Sequence, residues 1–192
     1  MSEFDKKKWN EKYRSDTALL QREGPTDFLG RHGALLKGEC TVDLACGGGR
    51  NAIFLAERGF CVDAVDISEV AIERLKKRVG DLPIYPILAD LDAFAPEANR
   101  YDLAVMVHFL DRDLIARTAA ALKAGGLFVV ETYMDHPDNE KRGNPDFLLT
   151  PGELKRLFEG WEILAYEEFV NGPEERYRMM KQGIVAKKGI GD

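Results

Sequence analysis

Residues 42–51 read Val-Asp-Leu-Ala-Cys-Gly-Gly-Gly-Arg-Asn. Residues 42–46 form a short, mainly apolar run, and three glycines follow it at 47–49. The apolar run is typical of a strand buried on both faces of a parallel sheet. Residues 50–58 then carry apolar side chains at helical spacing, and Gly59 marks the end of the predicted helix. The glycines therefore lie in a turn from a strand into a helix, where they let the backbone turn tightly and approach a ligand.

After this turn, apolar runs continue to alternate with helical patterns as far as residue 132. Such alternation predicts parallel βαβ units with helices on both faces of one sheet. The strands predicted after the glycine turn are Cys61–Val65, Pro83–Leu88, Tyr101–Val107 and Leu127–Thr132, and helices are predicted from Ser68 and over Asp111–Lys123.

The pattern changes after residue 149. Residues 150–153, Thr-Pro-Gly-Glu, combine a capping threonine, a proline in the first turn and a glutamate three residues after the cap. This motif predicts a helix that Thr150 caps. Two predicted strands follow, Trp161–Val170 and Tyr177–Lys187, with a short turn at residues 171–173 between them. Because the connection is short, we expect the two strands to pair as an antiparallel hairpin.

The amino-terminal segment has a different character. Trp9 and Tyr13 lie four residues apart among charged residues, which predicts a short amphipathic helix lying across a larger body. A second short helical segment is predicted over Asp27–Leu36. No repeat or linker divides the chain, so we expect its 192 residues to form a single domain. In this domain, residues 1–36 are expected to form a helical lid over an α/β core of residues 40–192.

Composition narrows the classes of partner. The net charge is −6, and no basic stripe is present that would displace the counterions of a phosphate backbone, so nucleic acid is not an expected partner. No apolar run approaches the ~20 residues that span a bilayer, and the first residues are polar, so we expect a cytoplasmic monomer or homodimer without a membrane. The three cysteines, Cys40, Cys46 and Cys61, include no Cys-x-x-Cys pair, so reduced thiols and no metal site are expected.

An acidic residue, Asp66, follows the glycine turn at a spacing typical of nucleoside-binding folds. Asp66 closes the second predicted strand about 20 residues later, where a carboxylate accepts hydrogen bonds from ribose hydroxyls. Residues 47–52 also satisfy the looser dinucleotide pattern Gly-x-Gly-x-x-Ala. Three features favour S-adenosylmethionine over a dinucleotide. Asp43 lies four residues before Gly47, residues 90–92 (Asp-Leu-Asp) follow the third strand at the expected adenine edge, and the chain ends in a hairpin rather than another parallel strand.

These motifs together resemble the class I S-adenosylmethionine-dependent methyltransferases, and most closely the branch that includes tellurite-resistance methyltransferases. The resemblance spans nearly the whole chain. Its motifs are residues 42–51 and 62–68, the turn at 122–127, the amino-terminal stretch 9–13, and the late segments 148–154 and 160–162.

The resemblance implies a doubly wound α/β fold of Rossmann-like type, with a mostly parallel seven-stranded sheet and an antiparallel carboxyl-terminal hairpin. It also implies methyl transfer from S-adenosylmethionine to a small molecule, with S-adenosylhomocysteine as product. Ala45 stands where the wider class commonly has glycine. The predicted cofactor-binding residues are Trp9, Tyr13, Arg14, Asp43, Ala45, Gly47, Gly49, Asn51, Asp66, Ile67, Asp90, Leu91 and His108.

Methyl transfer from a sulfonium is an in-line displacement, which depends mainly on alignment in a site that excludes water. Two residues at the carboxyl ends of predicted strands are the candidate catalytic residues, His108 after the fourth strand and Tyr133 after the fifth. The sequence leaves His108 open as a general base, a hydrogen-bond partner of the substrate or a supporting group. A soft nucleophile, such as a thiol or a metalloid oxyanion, fits the branch that the chain resembles.

Two other functions are weighed against the methyltransferase. A non-catalytic S-adenosylmethionine-binding regulatory module would bind the cofactor without turnover, and an NAD-dependent oxidoreductase would use the same glycine turn. Enzymes that methylate an exocyclic amine of a nucleobase usually carry an Asn/Asp-Pro-Pro-aromatic turn after the fourth strand. Residues 108–111 read His-Phe-Leu-Asp there, which argues against such an enzyme.

Overall fold

The computed structural model describes residues 3–173 and 175–190. A seven-stranded sheet forms its centre. Its strands are β1 (Cys40–Leu44), β2 (Cys61–Asp66), β3 (Ile84–Leu88), β4 (Tyr101–Val107), β5 (Leu122–Tyr133), β6 (Glu162–Val170) and β7 (Met180–Lys187). The α-helices are α1 (Glu3–Ser15), α2 (Asp27–Arg31), α3 (Arg50–Ala56), α4 (Glu69–Lys76), α5 (Arg112–Ala121) and α6 (Glu153–Leu157), with short 3₁₀ helices at Thr17–Leu20, Gly33–Leu35 and Pro145–Phe147.

The strand order is β3-β2-β1-β4-β5-β7-β6. Strand β1 pairs in parallel with β2 on one side and with β4 on the other, whereas β7 is antiparallel to both β5 and β6. Successive strands are therefore added on one side of β1 as far as β3 and on its other side from β4 onward. A crevice opens between β1 and β4 at the carboxyl ends of the strands, where α/β proteins bind ligands. The predicted fold class is confirmed.

Helices cover both faces of the sheet. On one face, Phe54 and Leu55 of α3 belong to the same buried cluster as Val62 of β2. On the other face, Leu114 of α5 shares a buried cluster with Met106 of β4. Burying an apolar side chain of this size stabilises the fold by about 1.5–3 kcal/mol, so the two clusters hold the strand ends in fixed positions around the crevice.

The start of helix α6 corrects a prediction. Thr150 does not cap this helix, because Gly152 occupies the position before its first residue with a φ of +67°. The carboxylate of Glu153 instead accepts hydrogen bonds from the backbone N–H of Thr150 at 2.7 Å and from its hydroxyl at 2.8 Å. The sequence motif thus closes a turn that precedes the helix.

The connection between α5 and β5 also differs from its prediction. Helix α5 ends at Ala121, and β5 begins directly after it at Leu122 rather than at Leu127. The register of β5 against β4 shifts near Tyr101, so the extra residues form a bulge, in which Gly125 has a φ of +74°.

The second predicted amino-terminal helix is divided into α2 and the 3₁₀ helix Gly33–Leu35. Glycine at position 33 lies against the ring of Phe54, and a Cβ there would lie 3.1 Å from that ring. In the described ranges no helix is long and apolar enough to cross a membrane. The predicted single domain includes residues 1, 2, 174, 191 and 192, which lie outside the described residues.

Candidate active site

A cavity of about 280 Å³ opens at the point where the strand order reverses. Its walls come from α1 and the segment after it, from the turn after β1, and from the ends of β2, β4 and β5. The cavity is lined by Trp9, Lys12, Tyr13, Leu19, Arg22, Ala45, Cys46, Gly47, Gly48, Arg50, Asn51, Asp66, Ile67, Arg78, Val107, His108, Phe109 and Tyr133.

The three glycines of the turn after β1 meet two different requirements. A Cβ on Gly49 would lie 2.2 Å from a methyl group of Leu75, and one on Gly48 would lie 2.6 Å from the carbonyl oxygen of Leu20. Gly47, with a φ of +55°, lines the cavity, and among the described residues its Cβ would meet only the hydroxyl of Tyr13 within 4 Å, at 3.4 Å. Two glycines therefore allow close packing behind the turn, and the third leaves room in front of it.

Asp66, at the end of β2, holds the glycine turn in place. One carboxylate oxygen accepts the backbone N–H of Gly47 and the other accepts that of Ser68, both at 2.8 Å. Burial raises the pKa of Asp66, and these N–H groups oppose that effect. A carboxylate has about four lone-pair sites, so each oxygen keeps acceptor capacity for a ligand in the cavity.

Asp43 lies beneath the same turn and is fully buried. One of its carboxylate oxygens has no hydrogen-bond partner among the described residues. Burial and the nearby charge of Asp66 raise the pKa of Asp43 to about 7, although the backbone N–H of Ala52 partly opposes the shift. Orphaned buried oxygens are rare in folded proteins, so this one marks a place where a polar ligand group or water belongs.

The lid helix α1 is anchored by its one buried residue among those described, Asn10. The hydroxyl of Ser68 donates to the side-chain oxygen of Asn10 at 2.7 Å and also caps α4 by accepting the N–H of Ala71. Trp9 and Tyr13 lie side by side with ring centroids 5.4 Å apart. The anchor therefore presents an aromatic face of α1 to the cavity.

On the opposite wall, His108 follows β4 with a φ of +56°, which is a strained conformation for a residue with a side chain. Its backbone N–H donates to the carbonyl of Glu131 at 2.8 Å, and its ring stacks on Tyr133 with centroids 5.3 Å apart. Burial and the charge of Lys181 lower the pKa of His108 well below its usual value. The ring is therefore neutral at physiological pH.

Three further residues complete this wall, namely Glu131, Glu175 and Lys181, and sequence reasoning missed all three. Lys181 of β7 is almost fully buried, and its ammonium contacts Glu131, Glu175 and His108. Tyr133 donates its hydroxyl to Glu175. A signal was present in the sequence, because Glu131 directly follows the apolar run 127–130 and Lys181 lies in a predicted strand, and such residues are rarely buried without partners.

A family model described as "Tellurite resistance protein TehB" matches residues 32–183. The chain belongs to the TehB family. "Hemagglutinin 1" of Eikenella corrodens is 32% identical to this TehB-family chain over 139 residues, which are 68% of this chain and 46% of the relative. The protein named "Probable S-adenosyl-L-methionine-dependent methyltransferase TehB" of Haemophilus influenzae KW20 is 30% identical over 136 residues, 66% of this chain and 47% of the relative. The chain thus spans about half the length of these relatives.

The crystal structure of TehB from Haemophilus influenzae has the same fold, with a TM-score of 0.74. It is 24% identical, and the match covers 83% of this chain and 61% of that chain. The predicted family and fold are confirmed, and the name of the Haemophilus influenzae relative agrees with the predicted enzyme class and with S-adenosylmethionine as the cofactor.

The residues of this TehB-family chain fit that cofactor. Gly47 leaves the space that a Cβ would fill, Asp66 keeps lone pairs for ribose hydroxyls, and Asp43 carries an orphaned oxygen beneath the turn. The predicted residues that line the cavity are Trp9, Tyr13, Ala45, Gly47, Asn51, Asp66, Ile67 and His108, together with Tyr133. Their roles in binding and catalysis remain predictions.

Five predicted cofactor residues lie outside the lining of the cavity. Asp43 lies beneath the glycine turn, Gly49 faces Leu75 on the side of the turn away from the cavity, and Leu91 is fully buried in the core. Asp90 is half-buried after β3, and Arg14 is exposed.

Helical spacing explains the position of Arg14 in this TehB-family chain. Trp9, Lys12 and Tyr13 are three and four residues apart and so share one face of α1, whereas Arg14 falls on another. Lys12 and Arg22 line the cavity instead.

Proposed function

We propose that the chain transfers the methyl group of S-adenosylmethionine to a small acceptor molecule. The observation that carries the proposal is the single cavity into which the glycine turn, Asp66 and the His108–Tyr133 pair all open. Membership of the TehB family supports it. When bound, S-adenosylmethionine would supply an electrophilic methyl group on a sulfonium.

The chain's own residues would bind and orient the cofactor and the acceptor, and they would exclude water from the cavity. Asp66 would accept hydrogen bonds from ribose hydroxyls, and Gly47 would allow the backbone to approach the cofactor. Trp9 and Tyr13 would cover the cavity. Such a site accelerates an in-line displacement by alignment and by keeping water out, so it does not require a strong base when the acceptor is already an anion.

The charges of the cavity favour an anionic acceptor. Lys12, Arg22 and Arg50 line it, although the whole chain has a net charge of −6. The nearby charges of Arg50 and Arg22 both act to lower the pKa of His108, which indicates that their positive potential reaches the far wall. An oxyanion or a thiolate would be attracted by this potential. We therefore propose an anionic acceptor, and the resemblance to the tellurite-resistance branch favours a soft nucleophile, either a thiol in its thiolate form or a metalloid oxyanion.

Arg78 is excluded from this set because it has a structural role. Its guanidinium donates to the backbone carbonyls of Gly48 at 2.7 Å and of Leu20 and Arg22 at 3.1 Å each. It therefore ties the amino-terminal segment to the glycine turn.

Turnover tests the proposal. The purified chain is incubated with S-adenosylmethionine and, separately, with a panel of small thiols, tellurite and selenite, and S-adenosylhomocysteine is measured together with the methylated acceptor. We expect both products in equal amounts with at least one acceptor, and a large loss of rate in Asp66→Ala. Cofactor binding with no turnover on any acceptor would support the regulatory module instead, and turnover with NAD would support the oxidoreductase.

We also propose that the chain works in the cytoplasm, as a monomer or homodimer and without nucleic acid. The acidic net charge supports the last point, since a phosphate backbone would be repelled. Size-exclusion chromatography tests the oligomeric state, and a filter-binding assay with duplex DNA at low salt tests the absence of nucleic-acid binding. A stable complex with the DNA, or an assembly larger than a dimer, would contradict them.

A further inference from the structure

The ammonium of Lys181 lies in a buried pocket of acceptors at the start of β7. Its Nζ is 2.5 Å from an oxygen of Glu175, 2.6 Å from Nε2 of His108 and 3.0 Å from an oxygen of Glu131. The lysine side chain is 3% exposed. An ammonium has three N–H donors and no acceptor, so these contacts use all of its protons.

The contact with His108 fixes the proton on its ring. Because Lys181 can only donate, Nε2 of His108 must accept, and a neutral histidine then carries its proton on Nδ1. The reverse assignment, with the charge on the histidine, is disfavoured by distance. Nε2 lies 3.6 Å and 3.8 Å from the oxygens of Glu175 and Glu131, whereas Nζ lies within 3.0 Å of both.

The other ring nitrogen is left for a ligand. Nδ1 of His108 has no hydrogen-bond partner in the part of the chain that the structure describes, and the residue lines the cavity. Stacking on Tyr133 and the backbone hydrogen bond to Glu131 hold the ring in place. Tyr133 is in turn held by Glu175.

We propose that Lys181 is a positioning residue that fixes His108 as a neutral ring donating its Nδ1–H to an oxygen or sulfur of the acceptor. This rests on the proposed function and deepens it, because it selects one role among those that the sequence left open. His108 orients an anionic acceptor and does not remove its proton. A base would use the lone pair of Nε2, and that lone pair already accepts a hydrogen bond from Lys181.

The state of the ring also depends on every charged or titratable group around it. These groups are Lys181 on β7, Glu131 and Tyr133 on β5, Glu175 before β7, Arg50 on α3 and Arg22 in the amino-terminal segment. Lys181 is the only one of those with a described hydrogen bond to the ring.

Long-range ¹H–¹⁵N correlation spectra of the ligand-free protein test the proposal directly. The chain has three histidines, so His108 is assigned by its loss in His108→Gln. We expect the wild-type spectrum to show His108 neutral, protonated at Nδ1 and not titrating between pH 5.5 and 8. A proton on Nε2, or titration near the usual pKa of about 6.5, would overturn the proposal even if no variant of Lys181 folds.

Variants extend the test to function. Lys181→Met should lose the fixed Nδ1–H state and shift the titration of His108 upward in pH, whereas Lys181→Arg, which keeps a donor, should restore the wild-type pattern. Lys187 lies on the same strand and pairs with Glu162 at the surface. Lys187→Met is therefore the control, and it should change neither the protonated nitrogen of His108 nor the titration of His108. An unchanged ring state in a folded Lys181→Met would overturn the proposal.

Kinetics separate this proposal from the proposed function. In Lys181→Met, kcat with the best acceptor should fall about tenfold or more while the affinity for S-adenosylhomocysteine stays within twofold. An unchanged kcat would show that the fixed ring has no part in orienting the acceptor. Wild-type protein that binds S-adenosylhomocysteine but turns over no acceptor would count against the proposed function, and the spectra would still decide the ring state.

Discussion

The backbone N–H of Gly47 donates to the carboxylate of Asp66 at 2.8 Å, and this bond joins the end of β1 to the end of β2 across the mouth of the cavity. The acid expected to bind the cofactor is thus also the acid that shapes the turn expected to cradle it. A change at Asp66 should therefore affect both functions together.

Replacing Asp66 with alanine should weaken the binding of S-adenosylhomocysteine by about 1–3 kcal/mol, the scale of lost charge-assisted hydrogen bonds. Isothermal titration calorimetry measures the change. Asp81→Ala, which alters an exposed acid outside the cavity, is the control and should bind like the wild type. Equal affinity in a folded Asp66→Ala would remove this residue from the cofactor site.

The packing behind the glycine turn can be tested with a matched pair of variants. Gly49 and Gly59 both have positive φ, at +79° and +92°, but only at Gly49 would a Cβ clash, 2.2 Å from Leu75. Both alanine variants carry the backbone strain, about 1–2 kcal/mol. Gly49→Ala should lose about 1–3 kcal/mol more than Gly59→Ala in denaturant unfolding, because the core must shift. Equal losses would contradict the close approach of the turn to α4.

Ala45 adopts a φ of +57° at the start of the turn, which explains why glycine suits this position. Ala45→Gly should raise the free energy of unfolding by about 0.5–1 kcal/mol, because relief of strain exceeds the added entropy of the unfolded chain. Ala116→Gly, on the exposed side of α5, should lower it by about 1 kcal/mol. Differential scanning calorimetry measures both, and a loss of stability in Ala45→Gly would contradict the strained turn.

Asp43 gives the fold a predicted dependence on pH. Its pKa is about 7 in the folded protein, mainly because of burial, compared with 3.8 when exposed. Between these values the folded state holds a proton that the unfolded chain has released, so this contribution is full below about pH 4 and is lost as the pH rises through 7.

The side chain in Asp43→Asn does not titrate, so this contribution to the pH dependence of the free energy of unfolding should be absent in the variant. From pH 5 to pH 7, the free energy of unfolding of the wild type should fall relative to the variant by about 2–3 kcal/mol, at about 1.4 kcal/mol for each pH unit. Urea unfolding at the two pH values measures the difference. Parallel behaviour of the two proteins would show that Asp43 is ionised in the fold.

Local sequence was enough to predict that the glycine turn and Asp66 lie close together. The glycine turn and Asp66 belong to one strand-turn-helix-strand unit, so their spacing along the chain already determines their spacing in space. The face of α1 that carries Trp9, Lys12 and Tyr13 was also readable from helical periodicity, although Arg14 was predicted in place of Lys12.

The other half depends on pairing that local sequence does not determine. Strand β7 inserts between β5 and β6, and its register sets Lys181 opposite Tyr133. That register brings Lys181 to Glu131 and His108, from which it is separated by 50 and 73 residues along the chain. A one-residue slip would turn the lysine to the other face of the sheet, so only the assembled sheet reveals the cluster.

A ligand titration of thermal unfolding tests the central claim most directly, with S-adenosylhomocysteine and NAD added separately to wild-type protein and to Asp66→Ala. At 100 times its dissociation constant, a ligand of the native state adds about 2.7 kcal/mol of stability. We expect S-adenosylhomocysteine to stabilise the wild type, a higher concentration to be needed in Asp66→Ala, and NAD to have no effect. Stabilisation by NAD and none by S-adenosylhomocysteine would contradict the assignment of the cavity and of the reaction.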